Sequence, residues 1–369
     1  MQLNQVIGQQ SVKSSLTQLV DAQRIPHALL FLGPSGCGKL ALGVALAQYI
    51  LCDNRQKGES CGVCRNCSKV SKLIHPDLHF TYPTVGTKVT SPQFLGQWRT
   101  ALLDNPYLHV NQWLQFIGAE NKQGNINKDE CLRIIKQMSL KSFETDYKIL
   151  IIWLPEYLQK EGNRLLKLIE EPPENTIFIL VAEEQERILN TILSRCQIVK
   201  FNALSDAEII AGLVDKLGIS EEQAHAAAHL ANGDLNEALT LSENAENDNA
   251  VLFLDWMRKC YKGNGAELVP WAEKFAALGR ERQKHFFQYG LHFMREFMVY
   301  KLTGSQQVRL RKPELDTVMN LSKVVAFEKI EPITQLLNDS FYFVERNANA
   351  KILGLDASIQ MNQIFKKNG

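Results

Sequence analysis

A glycine-rich segment early in the chain has the residues and spacing of a phosphate-binding loop. It contains Gly33, Gly36, Gly38 and Lys39. Such glycines let consecutive backbone N–H groups surround an anion, and the lysine would reach the terminal phosphates of a nucleotide. The alternative is an ordinary glycine-rich turn between a strand and a helix. An apolar run before the segment and a helical pattern after it favour the phosphate loop.

The residues that a nucleotide hydrolase needs beside such a loop are missing. Leu40 follows the lysine, where a working loop has a Ser or Thr whose hydroxyl binds Mg²⁺. The acidic pair expected after a second apolar strand is replaced by Trp153 and Leu154, and core packing is the simplest role for this tryptophan. The nearest acid is Glu156. The sequence therefore argues against ATP hydrolysis at a useful rate and makes the binding of ATP or ADP doubtful.

Four of the eight cysteines lie close together just after the helical pattern that follows the phosphate loop. They are Cys52, Cys61, Cys64 and Cys67. Cys-x-x-Cys spacing lets two thiolates face one ion, and four thiolates complete the closed tetrahedron of a structural zinc site. Disulfides or free thiols, and an iron–sulfur cluster, are the alternatives, although the usual bacterial cluster pattern adds a Cys-Pro that is absent here. We predict structural Zn²⁺ at these cysteines.

The phosphate loop requires a sheet to position it, and the first half of the sequence predicts one. The runs 28–32, 149–154 and 177–182 are apolar throughout, and 198–201 is a further candidate. Runs that are apolar on both faces are typical of parallel strands covered by helices on both sides. Helical patterns alternate with these runs, so we predict an α/β nucleotide-binding domain with a parallel sheet over residues 1–202.

The rest of the chain is predicted to be helical. Two capping-box patterns, which begin at Ser205 and Ser220, indicate a small helical lid over 203–245. A polar, acidic stretch at 242–250 is typical of a linker, and 250–369 has helical patterns without a motif that would carry chemistry.

One further segment, 83–126, is rich in Pro, Gly, Asn and Trp. We predict that it is irregular, and its sequence suggests no function.

Composition limits the possible functions. The 369 residues suffice for two or three domains. The net charge is 41 − 40 = +1, whereas a protein that binds DNA mainly by electrostatic attraction is usually strongly basic. The start of the chain lacks the order of a signal peptide, and the longest apolar run is much shorter than the ~20 residues that cross a bilayer. We expect a cytoplasmic protein.

Several further motifs, together with the loop and the cysteines, resemble one protein family. They are Val6-Ile-Gly-Gln9, Arg24-Ile-Pro-His-Ala28, Asn163 to Pro173 with its Glu-Glu-Pro-Pro ending, and Ile192-Leu-Ser194-Arg195-Cys196. Over residues 1 to about 242 the chain resembles the AAA+ clamp-loader subunits of bacterial DNA polymerase III, and most closely the delta-prime branch of that family. This resemblance implies an AAA+ domain, a helical lid and an all-helical collar domain that joins subunits.

The resemblance also implies partners and a mode of action. Family members form a hetero-pentameric ring of motor and clamp-opening subunits that loads a sliding clamp onto primed DNA, as part of a DNA polymerase complex. Asn236 stands where the family's motor subunits have a phosphate-sensing lid arginine. Arg195 is implied to reach a neighbouring motor's ATP site as an arginine finger, although capping of its own helix or a local ion pair is the alternative. We expect no intrinsic ATPase or polymerase activity from this chain alone.

Two other functions compete with this interpretation. A weak ATPase could use Glu156 in place of the missing acid, but Leu40, Trp153 and Asn236 argue against it. A zinc-containing DNA-binding module is disfavoured by the net charge of +1 and by the lack of a recognition-helix pattern.

Overall fold

A computed structural model of the chain describes residues 1–56, 58–120, 122–243, 249–304, 308, 310 and 312–366. It divides into two compact units, Met1–Ser242 and Glu243–Gly369. Most of the predicted linker at 242–250 falls on residues 244–248, which lie outside the described residues. Among the helices that are described, none combines the length and the apolar character needed to span a membrane.

Within the described residues of the first unit, five parallel strands form one sheet in the order β2-β3-β4-β1-β5. The strands are β1 Ala28–Leu32, β2 Leu78–Thr81, β3 Lys148–Trp153, β4 Thr176–Ala182 and β5 Gln197–Lys200. Strands β3 and β4 are buried along their whole length, which explains why both faces of each run are apolar. The predicted α/β class and the four predicted strands are confirmed, with bounds that differ by at most one residue. Strand β2 was not predicted because it is short and interrupted by His79.

Helices cover both faces of this sheet. The α-helices of the unit are α1 Gln10–Asp21, α2 Lys39–Leu51, α3 Arg65–Ser71, α4 Leu95–Asp104, α5 Val110–Phe116, α6 Lys128–Met138, α7 Leu166–Glu170, α8 Asn190–Leu193, α9 Asp206–Ala211, α10 Glu221–Ala231 and α11 Leu235–Glu243. One core contains Phe31 and Ile151 with residues of α1 and α2, and the other contains Leu30 and Ile152 with residues of α6, α7 and α8. Every residue of α2 is buried, because this helix lies over the centre of the sheet.

The prediction that 83–126 is irregular was wrong, because α4 and α5 lie within it. A backbone pair between Thr84 and Asn125 closes the base of this segment. Trp98 of α4 and Trp113 of α5 are fully buried, and Trp98 stacks on Tyr82 with ring centroids 4.1 Å apart. The tryptophans that suggested an irregular loop therefore anchor two short helices to the sheet. We refer to residues 85–124 as the cleft segment.

The predicted helix signals after β5 are confirmed. Ser205 and Glu208 form a reciprocal capping box at the start of α9, and the Ser220 side chain accepts from the Gln223 N–H at the start of α10. Helix α9 continues into one turn of π-helix, Gly212–Lys216. These helices belong to the same compact unit as the sheet, and the boundary of a separate lid at residue 203 stays a prediction.

The described part of the second unit is helical, as its sequence pattern predicts. Its helices are α12 Asn249–Lys262, α13 Gly265–Ala276, α14 Arg280–Thr303, α15 Lys312–Val324, α16 Ile330–Glu345 and α17 Ala350–Lys366. Its core is strongly aromatic: Trp271 stacks on both Trp256 and Phe275, with ring centroids 5.4 and 5.3 Å apart. Such packing stabilises a helical bundle.

Candidate functional site

The loop between β1 and α2 has the backbone shape of a phosphate-binding loop. Gly36 and Gly38 have φ angles of +63° and +94°, which other residues rarely adopt. A Cβ atom on Gly33 would lie 2.4 Å from the carbonyl oxygen of Phe201. The side chain of Gln9 secures the loop, since its Nε2 donates to the carbonyl oxygens of Cys37 at 3.2 Å and Asn202 at 2.7 Å.

Lys39, the candidate phosphate ligand, is turned back onto its own loop. Its Nζ donates to the carbonyl oxygen of Pro34 and lies 3.8 Å from the Cys37 sulfur. The residue is 5% exposed. A nucleotide phosphate would have to draw this ammonium group away from a carbonyl that already binds it.

Two carboxylates border the loop, and neither was identified from the sequence. Asp234 lies so close that a Cβ atom on Gly36 would be 1.8 Å from its Oδ1, and its Oδ2 accepts from the Ser35 hydroxyl at 2.8 Å. Glu183 follows β4 and lines the cleft in front of the loop, where burial raises its pKa. The pKa of Asp234 is lowered, so its negative charge persists beside the loop and disfavours a phosphate. Glu183 could have been found, because ligands of parallel sheets bind at the carboxyl ends of the strands.

Three residues of the cleft segment, Pro106, Tyr107 and Leu108, line the space in front of the phosphate loop. The cavity that remains has a volume of about 20 Å³, which is room for about one water molecule. Small-molecule sites usually measure roughly 300–1,000 Å³. The cavity is lined by Gly36, Gly38, Lys39, Leu40, Pro106, Tyr107, Leu108, Trp153, Val181 and Glu183.

Of the positions at which hydrolytic residues are missing, Leu40 and Trp153 line this cleft, and Asn236 contacts Asn105 of the cleft segment. Leu40 is buried and lines it, and Trp153 lines it while packing against Trp98 with ring centroids 5.2 Å apart. Asn236 is 2% exposed, and its Oδ1 accepts from the side-chain amide of Asn105 at 2.6 Å. The core-packing role expected for Trp153 agrees with these contacts.

Glu156, the acid that a weak ATPase could use, is engaged elsewhere. Its Oε1 accepts from the backbone N–H groups of Glu183 and Glu184, the latter at 2.9 Å. Its side chain is buried, and this burial raises its pKa. The carboxylate therefore satisfies the backbone after β4 instead of facing an attacking water.

An ion pair joins the cleft segment to the residues beside the loop. The Nε2 of His109 lies 2.8 Å from Oδ2 of Asp234. Burial alone would lower the pKa of His109, but Asp234, with Glu183 and Glu237, raises it. Burial alone would raise the pKa of Asp234, but the hydrogen bond and charge of His109, with the Glu237 N–H and the Ser35 hydroxyl, together lower it. Each partner therefore favours the charged form of the other.

The four candidate zinc ligands are brought together. Their sulfur atoms all lie within 4.8 Å of one another, with Cys52 and Cys61 3.5 Å apart and Cys61 and Cys67 3.9 Å apart. Sulfurs bound at about 2.3 Å to one tetrahedral ion would be separated by about 3.8 Å. A disulfide sulfur pair would be about 2.05 Å apart. The donor set and its spacing therefore fit a four-thiolate metal ion.

Backbone N–H groups favour the thiolate of Cys61, whereas burial raises the pKa of Cys52 and Cys67. The sulfurs of Cys52, Cys61 and Cys64 accept from the N–H groups of Cys61, Cys64 and Cys67 at 3.3–3.4 Å. The N–H groups of Cys64 and Val63 lower the pKa of Cys61 to about 6. Helix α3 begins after Cys64, so the two Cys-x-x-Cys pairs are set by one tight turn and one helix start.

Arg195 lies at the surface between α8 and the edge strand β5. Its Nε donates to the Glu170 carboxylate at 3.1 Å, and its Nη1 donates to the Thr191 carbonyl oxygen at 2.9 Å. The local contacts that the sequence left as an alternative are thus present in the chain alone. The side chain of Arg195 is 31% exposed and that of Glu170 is 55% exposed. An exposed ion pair of this kind contributes only about 0–1 kcal/mol.

The pair of His109 and Asp234 predicts a pH-dependent contribution to stability. A raised pKa in the folded chain stabilises it fully below the unfolded pKa of about 6.5, and this stabilisation disappears as the pH rises through the raised value. His109→Gln should therefore lower the free energy of unfolding by about 1 kcal/mol or more near pH 6 and by less near pH 9. Denaturant unfolding at both pH values measures the difference, with the exposed His225→Gln as control. Equal losses at the two pH values would contradict the prediction.

Comparison with known proteins identifies relatives. A family model described as DNA polymerase III, delta subunit, matches residues 8–205. The delta' subunit of DNA polymerase III from Bacillus subtilis (strain 168) is 29% identical over 239 residues, which are 64% of this chain and 60% of that protein. The tau subunit from the same strain is 23% identical over 360 residues, which are 91% of this chain and 57% of that protein.

A third relative and two solved structures extend the comparison. The Escherichia coli (strain K12) tau subunit is 30% identical over 246 residues, 65% of this chain and 32% of that protein. The chain thus spans less than two thirds of the length of each of these relatives. A DNA polymerase III gamma subunit-related protein from Thermotoga maritima has a TM-score of 0.40 at 13% identity, covering 96% of this chain and 99% of its own. The Bacillus subtilis clamp loader delta protein has a TM-score of 0.31 at 13% identity, with coverages of 96% and 100%.

Proposed function

The chain belongs to the DNA polymerase III delta subunit family, a clamp-loader family, and on this premise we propose that it is a subunit that does not hydrolyse ATP. It would act in the cytoplasm within a hetero-pentameric clamp loader, which places a sliding clamp on primed DNA. The observation that carries this proposal is the closed cleft in front of the phosphate loop. About 20 Å³ remain there, and the residues at the hydrolytic positions are Leu40, Trp153 and Asn236.

The proposal further assigns Arg195 to the ATP site of an adjacent motor subunit. A guanidinium group placed near the γ-phosphate stabilises charge that develops in the transition state. Such a finger contributes ~10³–10⁵ in rate, or about 4–7 kcal/mol. The exposed contact with Glu170 contributes only about 0–1 kcal/mol, so little stability is lost when it breaks. A neighbouring nucleotide could therefore draw Arg195 away from its local partners.

We also propose that Cys52, Cys61, Cys64 and Cys67 hold structural Zn²⁺. Four thiolates leave no open position for water, so the ion would stabilise the fold and not catalyse. The N-terminal residues support this region, because the Glu59 carboxylate accepts from the N–H groups of Leu3 at 3.1 Å and Asn4 at 2.8 Å.

Steady-state ATP hydrolysis by the isolated chain tests the first part of the proposal. We expect turnover at the level of a buffer blank, because the cleft is closed and Glu156 is held by backbone N–H groups. The variant Glu156→Gln should give the same blank. Turnover by the purified chain that Lys39→Ala abolishes would establish the weak ATPase instead.

The finger role predicts a defect in the assembled loader. In a complex reconstituted with motor subunits, clamp and primed DNA, Arg195→Ala should slow hydrolysis at the adjacent motor site by roughly 10³-fold or more. Clamp loading and phosphate release are measured together. Arg164→Ala removes another surface arginine, paired with Glu161 at 2.7 Å, and serves as the control. Native rates with Arg195→Ala in an intact assembly would exclude the finger role.

The metal site predicts about one zinc per chain by elemental analysis. Cys64→Ser should lower the zinc content and the Tm, and a fall of roughly 10 °C corresponds to the loss of a few kcal/mol in a unit of this size. Cys196→Ser, outside the cluster, is the control and should change neither. Absence of zinc from protein purified without chelators would contradict the assignment.

A further inference from the structure

The turn Asn105–His109 contributes Pro106, Tyr107 and Leu108 to the lining of the cleft on which the proposed absence of ATP hydrolysis rests. We propose that the cleft segment is a built-in plug: this turn occupies the space of a nucleotide and excludes ATP and ADP from the chain's own phosphate loop. The plug concerns the same cleft as the proposed function, but it depends neither on Arg195 nor on assembly of a ring.

The turn is locally well defined, as a plug must be. It joins the end of α4 to the start of α5. The N–H of Leu108 donates to the carbonyl oxygen of Asn105 at 3.3 Å, and the N–H of Tyr107 donates to the Asn105 side-chain oxygen at 2.9 Å. Pro106 fixes its own φ angle at the second position of this turn. The two flanking helices, the two hydrogen bonds to Asn105 and the fixed φ angle of Pro106 therefore hold the backbone of Tyr107 in one conformation.

Tyr107 is the centre of the plug. It is 9% exposed, and its hydroxyl oxygen accepts from the N–H of Ile7 at 2.9 Å. Its ring lies beside Gly38, because a Cβ atom on that glycine would be 3.2 Å from Tyr107 Cε1. Gly38 immediately precedes α2, and the start of a helix after a glycine loop is where a phosphate would bind. The ring therefore covers the anion site.

The missing hydrolytic residues have one shared explanation in this arrangement. The apolar Leu40 lines the cleft with Tyr107, and Asn236 accepts from Asn105. Trp153 packs against Trp98, the tryptophan that anchors α4. A motor subunit has Thr, an acidic pair and an arginine at these positions. Such side chains would lose their hydration in this cleft without gaining hydrogen-bond partners, which is unfavourable for buried polar and charged groups. The residues at these positions are instead complementary to the plug.

Polar contacts fasten the plug to the opposite side of the cleft. His109 pairs with Asp234, and Asn105 bonds to Asn236 next to the start of α11. The N–H of Leu235 in turn donates to the carbonyl oxygen of Gly36 at 3.2 Å. The turn, the phosphate loop and the start of α11 therefore form one connected set of contacts.

The plug lowers nucleotide affinity by the fraction of chains in which it is withdrawn. If that fraction is about 1%, the apparent affinity falls about 100-fold, equivalent to about 2.7 kcal/mol. A variant with a weakened plug should regain up to this factor in apparent nucleotide affinity, even though Leu40 provides no Mg²⁺ ligand.

Binding of a fluorescent ADP analogue to the full chain tests the plug. The native chain should not saturate at the highest analogue concentration tested, whereas Tyr107→Gly with Leu108→Gly should saturate with a Kd at least about tenfold below that concentration. A second variant, Asn105→Ala with His109→Ala, removes only the polar contacts and should gain in the same direction if the first does not fold. Leu103→Ala changes an exposed residue of the same segment and should behave as native.

The gained binding must use the phosphate loop, so Lys39→Ala added to the plug variant should abolish it. The plug is refuted if the native chain binds the analogue as tightly as the folded variants, if both folded variants gain nothing, or if the gain survives Lys39→Ala. These outcomes are read on the isolated chain, whereas the role of Arg195 is read in the assembled loader. Failure of the plug and failure of the arginine finger are therefore distinguishable.

Discussion

The packing of Trp98 against Tyr82 and Trp153 fixes the cleft segment to the carboxyl edge of the sheet. The ring centroids lie 4.1 and 5.2 Å from that of Trp98, and all three side chains are buried. Large aromatic side chains contribute much of the burial energy of a core, so this contact sets the position of α4. The position of α4 in turn sets the Asn105–His109 turn, and the turn determines whether the phosphate loop is open.

The phosphate loop of this chain favours an anion, but the side chains around it leave little electrostatic attraction for one. The backbone of the loop and the start of α2 favour an anion. Asp234, whose pKa is lowered, places negative charge beside them, and Lys39 is bound to the Pro34 carbonyl oxygen. His109 balances Asp234 without opening the cleft. The loop thus keeps the shape of a nucleotide site while its neighbours supply the charge that a nucleotide would bring.

Rigidity links the closed cleft to the proposed role in a clamp loader. A subunit without its own nucleotide cycle has no hydrolysis step to change its conformation. Arg195 lies in the turn between α8 and the edge strand β5 of this sheet, and it contacts Glu170 and Thr191. The four clustered cysteines bring residues 52 and 61–67, which follow α2, close together, and a bound ion would hold them there. Fixed geometry in such a subunit would hold a catalytic arginine at a constant position for its neighbour.

The sequence by itself determined the features that depend on local pattern. Four strands, the capping boxes, the glycine loop and the spacing of the cysteines could be read directly, because apolar periodicity, positive φ angles and Cys-x-x-Cys spacing act over a few residues. The absence of hydrolytic residues at Leu40 and Trp153 could be read in the same way. Strand β2 and the helices α4 and α5 could not, because short segments with mixed signals are decided by what they pack against.

Only the tertiary structure decided what fills the cleft. Tyr107 meets Ile7 across 100 positions of the chain, and Asn105 meets Asn236 across 131. A local sequence pattern cannot predict such contacts, because they form only when elements that are distant in the sequence meet at one edge of the sheet. The same holds for Asp234 beside Gly36. Local sequence specified the loop, and long-range packing determined that it is closed.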